Sequence, residues 1–343
     1  MATIREVAQK AGVSIGTVSR ALNYKPGVSE ETRQHVFTAA QELGYVSAKR
    51  LSLSAPKITH LGLLSRPMGN GPLTANPFYG DVFHSVEQVC HESYINLSFS
   101  SLNIVNGRLG SLPALVSDNR ISGVVLVGAL PKEIVESVVT SLQLPVVLVD
   151  NCFPDCAWDS VMIDNARGTS QATELLIAQG HRHIAFISGP DHPSIVERRA
   201  GYEETLRQHD LKLMVVVTED LEPPDGERAA VRLLRQAPET TAIVCSNDSQ
   251  AIGASRKIQE LGYKIPDDFS VVGFDDINLV QFTSPPLTTV RVDRQALGQV
   301  ATGLLLERIK APDRPPIKTV VGVKLIERAS VSAPRTRGIT SPT

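Results

Sequence analysis

Arg20 and Asn23, with Ser14, Gly16, Thr17 and Ser19 close before them, form the first group of residues whose chemistry can be read from type and spacing. A guanidinium forks onto guanine O6 and N7, a carboxamide reaches an adenine edge or a phosphate, and short hydroxyls suit phosphates or base edges. Ile15 beside them could touch a thymine methyl, and Thr3, ahead of the first helical pattern, joins the same candidate set. A second group is spread along the chain. Asp150, Asp164, Ser188, Asn247 with Asp248, and Asp275 with Asp276 each end an apolar run. Open α/β sheets bind ligands outside the carboxyl ends of their strands, so polar residues repeated there could line a cleft for a small, hydroxyl-rich molecule. Each could equally cap the helix that follows.

The first group must be carried by the stretch TIREVAQKAGVSIGTVSRALN, residues 3–23. Ile4, Val7, Ala8 and Ala11 recur at helical spacing, Gly12 ends that helix, and Ser14 is placed to cap a second one. In the second helix Val18, Ala21 and Leu22 share one face. A helical wheel turns Gly16, Ser19, Arg20 and Asn23 away from that face, with Ile15 and Thr17 on its flanks. Two short helices joined by Gly12-Val13-Ser14 read as a helix-turn-helix, whose second helix enters the DNA major groove. An ordinary helical hairpin with a solvated face would carry the same pattern, but two features favour DNA. A third helix over 29–43, with Val36, Phe37, Ala40 and Leu43 apolar, completes a three-helix unit. Residues 1–60 carry eight Lys or Arg against four Asp or Glu, so charge is polarised toward the helical end of a chain whose net charge is −2.

The second group is set in the rest of the chain, where strand-like runs alternate with amphipathic helices. The runs include 58–65, 121–130, 144–151, 183–190, 241–248 and 269–276. Near-continuous apolar strands separated by helices predict parallel sheets covered on both faces. At 343 residues and 42% hydrophobic composition the chain can hold two or three domains with sizeable cores. The expected fold is therefore multidomain: an all-α head, then an α/β core of two doubly wound lobes. No 18-residue apolar run and no charged-then-apolar leader occurs, so the expectation is a soluble, cytoplasmic protein with no membrane partner. Cys90, Cys152, Cys156 and Cys245 lack metal-type pairing. Cys152 and Cys156, spaced C-x3-C around Pro154, read as plain loop cysteines, and no disulfide is expected. Gly69-x-Gly71 lacks the remainder of a phosphate loop, and the motifs G-x-S-x-G, H-E-x-x-H and the three-glycine dinucleotide fingerprint are missing. His181 and His183 flank a strand start and read as core or surface histidines. Neither enzymatic activity nor a cofactor or metal is expected.

The run MATIREVAQKAGVSIGTVSRALN followed by VSEETRQHV resembles the head of the lactose-repressor (LacI/GalR) family of bacterial transcription regulators. The resemblance continues through GFDDINLVQFTSPPLTTV to about residue 332. It implies a helix-turn-helix head over 1–45, a hinge over 46–57, a two-lobed, periplasmic-binding-protein-like core for effector binding and dimerisation over 58–332, and a tail over 333–343. The lobes would be about 58–159 with 291–324, and about 160–290 with 325–332. In that family the hinge becomes a short helix on operator DNA and a leucine wedges into the minor groove. Leu51 or Leu53 is the candidate here, with Lys49 and Arg50 facing phosphates. The usual Pro after Tyr45 and the Ala-Arg-x-Leu run are missing, and a plain flexible tether is the alternative.

For the cleft, NPFY (76–79) resembles a loop that would contribute Phe78 and Tyr79, and ERRAGYEETL places the family's ligand-binding arginine on Arg198. SNDSQAIGA places an asparagine contact on Asn247, and the GFDD signature places an aspartate contact on Asp275; Asp150 joins them as a strand-end carboxylate. Arg198 and Asp275 could grip vicinal hydroxyls or a heterocycle, or could be an ion pair that meets no ligand. Leu221 stands where relatives carry an aromatic that stacks on the ligand, and the loop 68–75 looks long enough to cover the cleft. The implied function is a ligand-responsive repressor that binds a palindromic double-stranded operator as a homodimer. Its effector would be a sugar or related metabolite, with a purine-type corepressor as the second choice. A solute-binding receptor of the same two-lobed fold is the remaining alternative, against which the head argues. The tail has no leucine heptads, so no tetramer-forming helix is expected.

Overall fold

A computed structural model of the chain describes residues 3–22, 27–43, 45, 58–66, 76–113, 121–153 and 158–335. The chain divides into two compact units, Met1–Lys57 and Ile58–Thr343. The first holds α1 (Ile4–Lys10), α2 (Ile15–Leu22) and α3 (Glu30–Glu42), and each begins on a side-chain cap. Thr3 and Glu6 form a reciprocal capping box. The Ser14 hydroxyl accepts from the Thr17 amide at 3.0 Å, and Ser29 accepts from the Thr32 amide at 3.2 Å. Val7, Ala8, Ala11, Val18, Ala21, Val36, Ala39 and Ala40 close into one core, and Lys10 pairs with Glu42 at 2.7 Å. The helical spacing of apolar residues identifies most of this core. Ala39, small enough to be passed over in a hydrophobic pattern, is buried beside them.

In the second unit two six-stranded sheets define two lobes. The first-lobe segments run β1 (His60–Ser65), α4 (Tyr79–Glu92), β2 (Asn96–Ser101), the short hairpin β3 (Ile104–Val105) and β4 (Arg108–Leu109), β5 (Val124–Val127), α5 (Lys132–Leu142), β6 (Val146–Val149) and β7 (Asp159–Ile163). The second lobe follows with α6 (Asn165–Ala178), β8 (Ile184–Ser188), α7 (Pro193–Gln208), β9 (Val215–Val217), α8 (Pro223–Gln236), β10 (Ala242–Cys245), α9 (Asp248–Glu260), β11 (Ser270–Asp275), a 3-10 turn (Asn278–Phe282) and β12 (Thr288–Val292). The chain then returns through α10 (Arg294–Lys310) and β13 (Lys318–Val321) to the first lobe, and ends with β14 (Val323–Ile326) in the second.

The first sheet has the order β13-β7-β6-β5-β1-β2 and is parallel throughout; the second, β14-β12-β11-β10-β8-β9, is parallel but for the edge strand β14. Central strands such as β5, β6, β8 and β10 are buried at every residue. That is why they read as unbroken apolar runs rather than as alternating ones. The helices that cover the second sheet touch at backbone level. A Cβ on Gly201 of α7 would lie 2.1 Å from the Ala166 carbonyl of α6, and one on Gly253 of α9 would lie 1.9 Å from the Pro223 carbonyl of α8.

The chain passes between lobes at Asp164, Asp293 and Gly322. The boundaries expected near 160, 291 and 325 each move by a few residues, because strand pairing rather than the apolar runs decides which sheet each strand joins. β7 pairs with β13 as far as Ile163–Val321, and β12 pairs with β14 at Val292–Val323. His181 is a buried core histidine: its ring meets Thr241 at 2.8 Å, Ser270 at 3.0 Å and the Ser332 carbonyl at 2.9 Å. With Arg335 paired to Asp267 at 2.8 Å, this ties residues 332–335, the last three of them from the expected tail, to the second lobe. Among the described residues no helix is long and apolar enough to cross a membrane.

Candidate functional site

In each sheet the strand order reverses beside the first strand, between β1 and β5 in one lobe and between β8 and β10 in the other. Crevices at such switch points, outside the carboxyl ends of the strands, are where doubly wound folds hold ligands. Asp150 follows β6 and is buried. Its Oδ2 accepts a 2.6 Å hydrogen bond from the Tyr79 hydroxyl, on the first turn of α4. Its Oδ1 accepts from the Ser194 hydroxyl, on the first turn of α7 in the opposite lobe. His192 Nε2 lies 3.9 Å from the same carboxylate, while His192 Nδ1 accepts the Ser194 amide at 3.0 Å and so caps α7. Burial, with the charges of Arg198 and Arg66 beside it, lowers the His192 pKa against the pull of Asp150, so the ring is neutral near pH 7. Burial and then the Asp150 charge push the Tyr79 phenol far up, keeping it a donor.

Facing this group is a second one, contained in the second lobe. Arg198 of α7 donates from Nε to Asn165 Oδ1 at 2.9 Å and from Nη1 to the Ser246 carbonyl at 2.6 Å, and its guanidinium carbon stands 3.7 Å over the Phe274 ring. These contacts hold the fork flat and fixed before any ligand arrives. Its Nη1 is also 3.2 Å from Asp275 Oδ1, but that oxygen accepts no well-directed hydrogen bond. Burial raises the Asp275 pKa to about 6, although Arg198 and Arg294 both pull it down. Asp275 has φ 114°, a strained value for a residue with a side chain and one that recurs at functional sites.

Asn247 and Leu221 take supporting places. The Asn247 carboxamide caps α9, accepting the Gln250 amide at 2.8 Å, and donates to the Leu221 carbonyl at 3.0 Å. Both ends are thus engaged within the protein, which is the capping alternative left open for strand-end residues. Leu221 lies against Gly189, where a Cβ would come 2.3 Å from Leu221 Cδ2. Phe78 is buried, edge-on to Tyr79 with ring centroids 4.9 Å apart, so it props the phenol more than it faces open space. Three residues of this neighbourhood escape sequence reasoning: His192, Ser194 and Arg294. For the first two a signal existed, since a proline opening a helix straight after a strand aims its first turn at the crevice.

In the head, Ser14, Ile15, Gly16 and Arg20 are exposed, whereas Thr17 and Ser19 are half-buried. Ile15, 45% exposed, is an apolar side chain on an otherwise polar face. The hydroxyls of Ser14 and Thr17 lie 2.8 Å apart, and that of Thr3 is held by the Glu6 carboxylate at 3.0 Å, so Thr3 and Ser14 first serve as helix caps and Thr17 braces the second. Asn23, Leu51 and Leu53, with Lys49 and Arg50, lie outside the described residues, as do the loop 68–75 and Cys156.

Comparison with known proteins agrees with both units. The family described as bacterial regulatory proteins, lacI family, matches residues 3–47, and a periplasmic binding protein-like domain matches residues 173–331. The chain is 32% identical over 317 residues to a ribose operon repressor of Haemophilus influenzae, covering 91% of this chain and 93% of the relative. It is also 32% identical over 337 residues to the HTH-type transcriptional repressor PurR of Vibrio atlanticus, covering 96% and 99%. Among solved structures, a complex of the transcriptional regulator CelR with cellobiose superposes with a TM-score of 0.72 at 29% identity, covering 96% of this chain and 100% of the other. A lac repressor dimer bound to operator and the anti-inducer ONPF gives 0.70 at 25%, covering 97% and 99%. The chain belongs to the lacI family of bacterial regulatory proteins and is a DNA-binding transcriptional regulator with an effector-binding core.

Proposed function

We propose that this chain is a cytoplasmic repressor that binds an approximately palindromic operator as a homodimer and releases or grips it in response to a small polyol in the core cleft. One head presents too few base contacts for an operator, and two-fold repetition supplies the second half-site. Arg20 reads a guanine, Ile15 lies against a thymine methyl, and Ser14, Thr17 and Ser19 approach phosphates or base edges with Asn23. Leu51 or Leu53 provides the minor-groove wedge. No catalytic role is assigned to any residue.

The observation that carries the effector reading is Asp275 Oδ1, a buried carboxylate oxygen without a directed donor, set beside the fixed fork of Arg198. Such an oxygen is left costly until a ligand hydroxyl donates to it. Asp150, with donors from both lobes, forms the opposite wall, and a sugar hydroxyl there replaces the Ser194 donor. Leu221 offers no ring face for a planar base. That favours the sugar over a purine, the second reading, which similarity to the PurR relative supports. The test is a thermal-shift screen of the full chain against D-ribose, cellobiose, hypoxanthine and guanine, followed by electrophoretic shift on a duplex selected from a random library, with and without the compound that binds. A shift by hypoxanthine or guanine alone overturns the sugar assignment. Failure of the library to yield any preferred duplex overturns the operator reading.

A further inference from the structure

Arg294 opens α10 one residue past the crossing at Asp293, and its helix is built into the first lobe. The Ser85 hydroxyl of α4 donates to the Gln295 carbonyl at 2.6 Å, and Gly298 lets α10 lie directly on Val82 and Ser85. From that base the guanidinium reaches three acceptors. Nε donates to Asp81 Oδ2 at 2.9 Å, still within the first lobe. Nη1 donates to the carbonyl of Asp275 at 2.6 Å and to that of Asp276 at 3.2 Å, both in the second lobe. The side chain is only 11% exposed.

The two carbonyls belong to a turn with left-handed backbone at both residues, φ 114° and 54°. The second lobe holds that turn through Asp248, whose carboxylate accepts the Ile277 amide at 2.9 Å and the Thr289 hydroxyl at 2.5 Å. It also holds it through Arg291 and Arg328, each 2.6 Å from the Asp276 carboxylate. Arg294 adds a grip from the other lobe, on the main chain of the same residue whose side chain faces Arg198. A cavity of about 460 Å³ adjoins it, with Asp81, Asp276, Arg291 and Arg328 among its walls. On that side hydrogen bonds rather than packed side chains fix the guanidinium. Only a planar fork can serve three acceptors spread in this way; an ammonium is a point charge.

We propose that Arg294 is a positioning residue that sets the angle between the lobes by tying the Asp275–Asp276 turn to α4 and α10. A ligand on the Asp275 carboxylate then acts on the lobe angle through this guanidinium. The second statement rests on the effector reading above; the tie itself does not.

The test uses the full chain without DNA or ligand. Nitroxide labels are placed at Glu136→Cys on α5 and Gln236→Cys on α8, both exposed and one in each lobe, with Cys152→Ser and Cys156→Ser. Double electron–electron resonance then reads the inter-lobe distance. Arg294→Met should shift or broaden the distribution by more than about 2 Å, the scale on which packed elements slide in switching proteins. Arg294→Lys should fall between, and Arg199→Met, on the outer face of α7, should match the wild type. Melting temperatures close to wild type exclude general loosening. An unchanged distribution in folded Arg294→Met overturns the proposal. Should that variant not fold, Asp81→Ala removes the first-lobe anchor alone, and an unchanged distribution there overturns it equally. Failure of the compound screen would leave this result standing, and the reverse also holds.

Discussion

The carboxylate of Asp150, in the first lobe, accepts a hydrogen bond from the hydroxyl of Ser194, in the second. The two lobes are therefore joined across the crevice, at a buried contact, as well as along the chain crossings. Ser194→Ala leaves Asp150 with Tyr79 as its remaining hydroxyl donor and should destabilise the core by about 1.5–3 kcal/mol, the usual range for a hydrogen bond to a charged group. Asp150→Ala strands Tyr79 and Ser194 together and should cost more. Urea unfolding of the two variants checks the order; wild-type stability in Ser194→Ala would show that the cross-cleft bond contributes nothing.

Asp275 makes a pH-dependent prediction. Burial raises its pKa to about 6, above the value near 4 expected when unfolded. The folded state therefore binds this proton more tightly than the unfolded state does. Its contribution is most favourable below about pH 4 and is lost as pH rises toward about 6. Relative to Asp275→Asn, the wild type should thus lose stability across that window, and melting curves of both at pH 4, 5, 6 and 7 measure it. A constant gap would mean that Asp275 ionises as an ordinary surface carboxylate. Ligand affinity should rise over the same window, because the ionised carboxylate is the stronger acceptor.

For the head, Arg20→Ala should weaken the selected operator by about 1–3 kcal/mol and relax base preference at one symmetric pair of positions. Unchanged affinity and preference in a titrated duplex series would remove Arg20 from the groove.

In the hinge, Leu53→Ala should reduce specific affinity, abolish the bend seen when the site is circularly permuted, and spare non-specific binding. If Leu51→Ala and Leu53→Ala both keep full bending, the segment is a tether.

Gly253→Ala should be among the most damaging single methyl additions in the core. The new Cβ would press on the Pro223 carbonyl at 1.9 Å, and backbone on both helices must then part, for a loss of about 3 kcal/mol or more. Gly303, on α10 with nothing within 4 Å of its Cβ position, is the control, since Gly303→Ala should be neutral or slightly stabilising.

The elements were legible because burial on both faces leaves apolar runs unbroken, and because Ser14 and Gly12 mark the helix boundaries chemically. The lobe boundaries were less so, since Ile163 and Val292 look the same in a list of residues whether or not a strand from residue 320 onward pairs with them. The contact between Arg198 and Asp275, one on α7 and the other at the end of β11, was legible because a single lobe supplies both. The site was illegible wherever the partner comes from the other lobe. Pro193 places Ser194 on a helix start beside the crevice, but nothing local to Ser194 or Arg294 names the partners, Asp150 and the carbonyls of Asp275 and Asp276, because those meetings depend on how two sheets are set against each other. Asn247 shows the converse limit. A strand-end asparagine is equally suited to a ligand and to the helix behind it, and its two hydrogen bonds go to the protein.

The three crossings at Asp164, Asp293 and Gly322 each consist of one residue, and two of them are laced together, the Asp164 amide donating to the Val321 carbonyl at 3.0 Å. Tethers so short forbid one lobe from sliding past the other and leave mainly a swing. In a swing, displacement grows in proportion to distance from the axle. A ligand that spreads the jaws by a fraction of an ångström near the axle therefore moves their far rims several times as much, so ligand size is geared up into arc length.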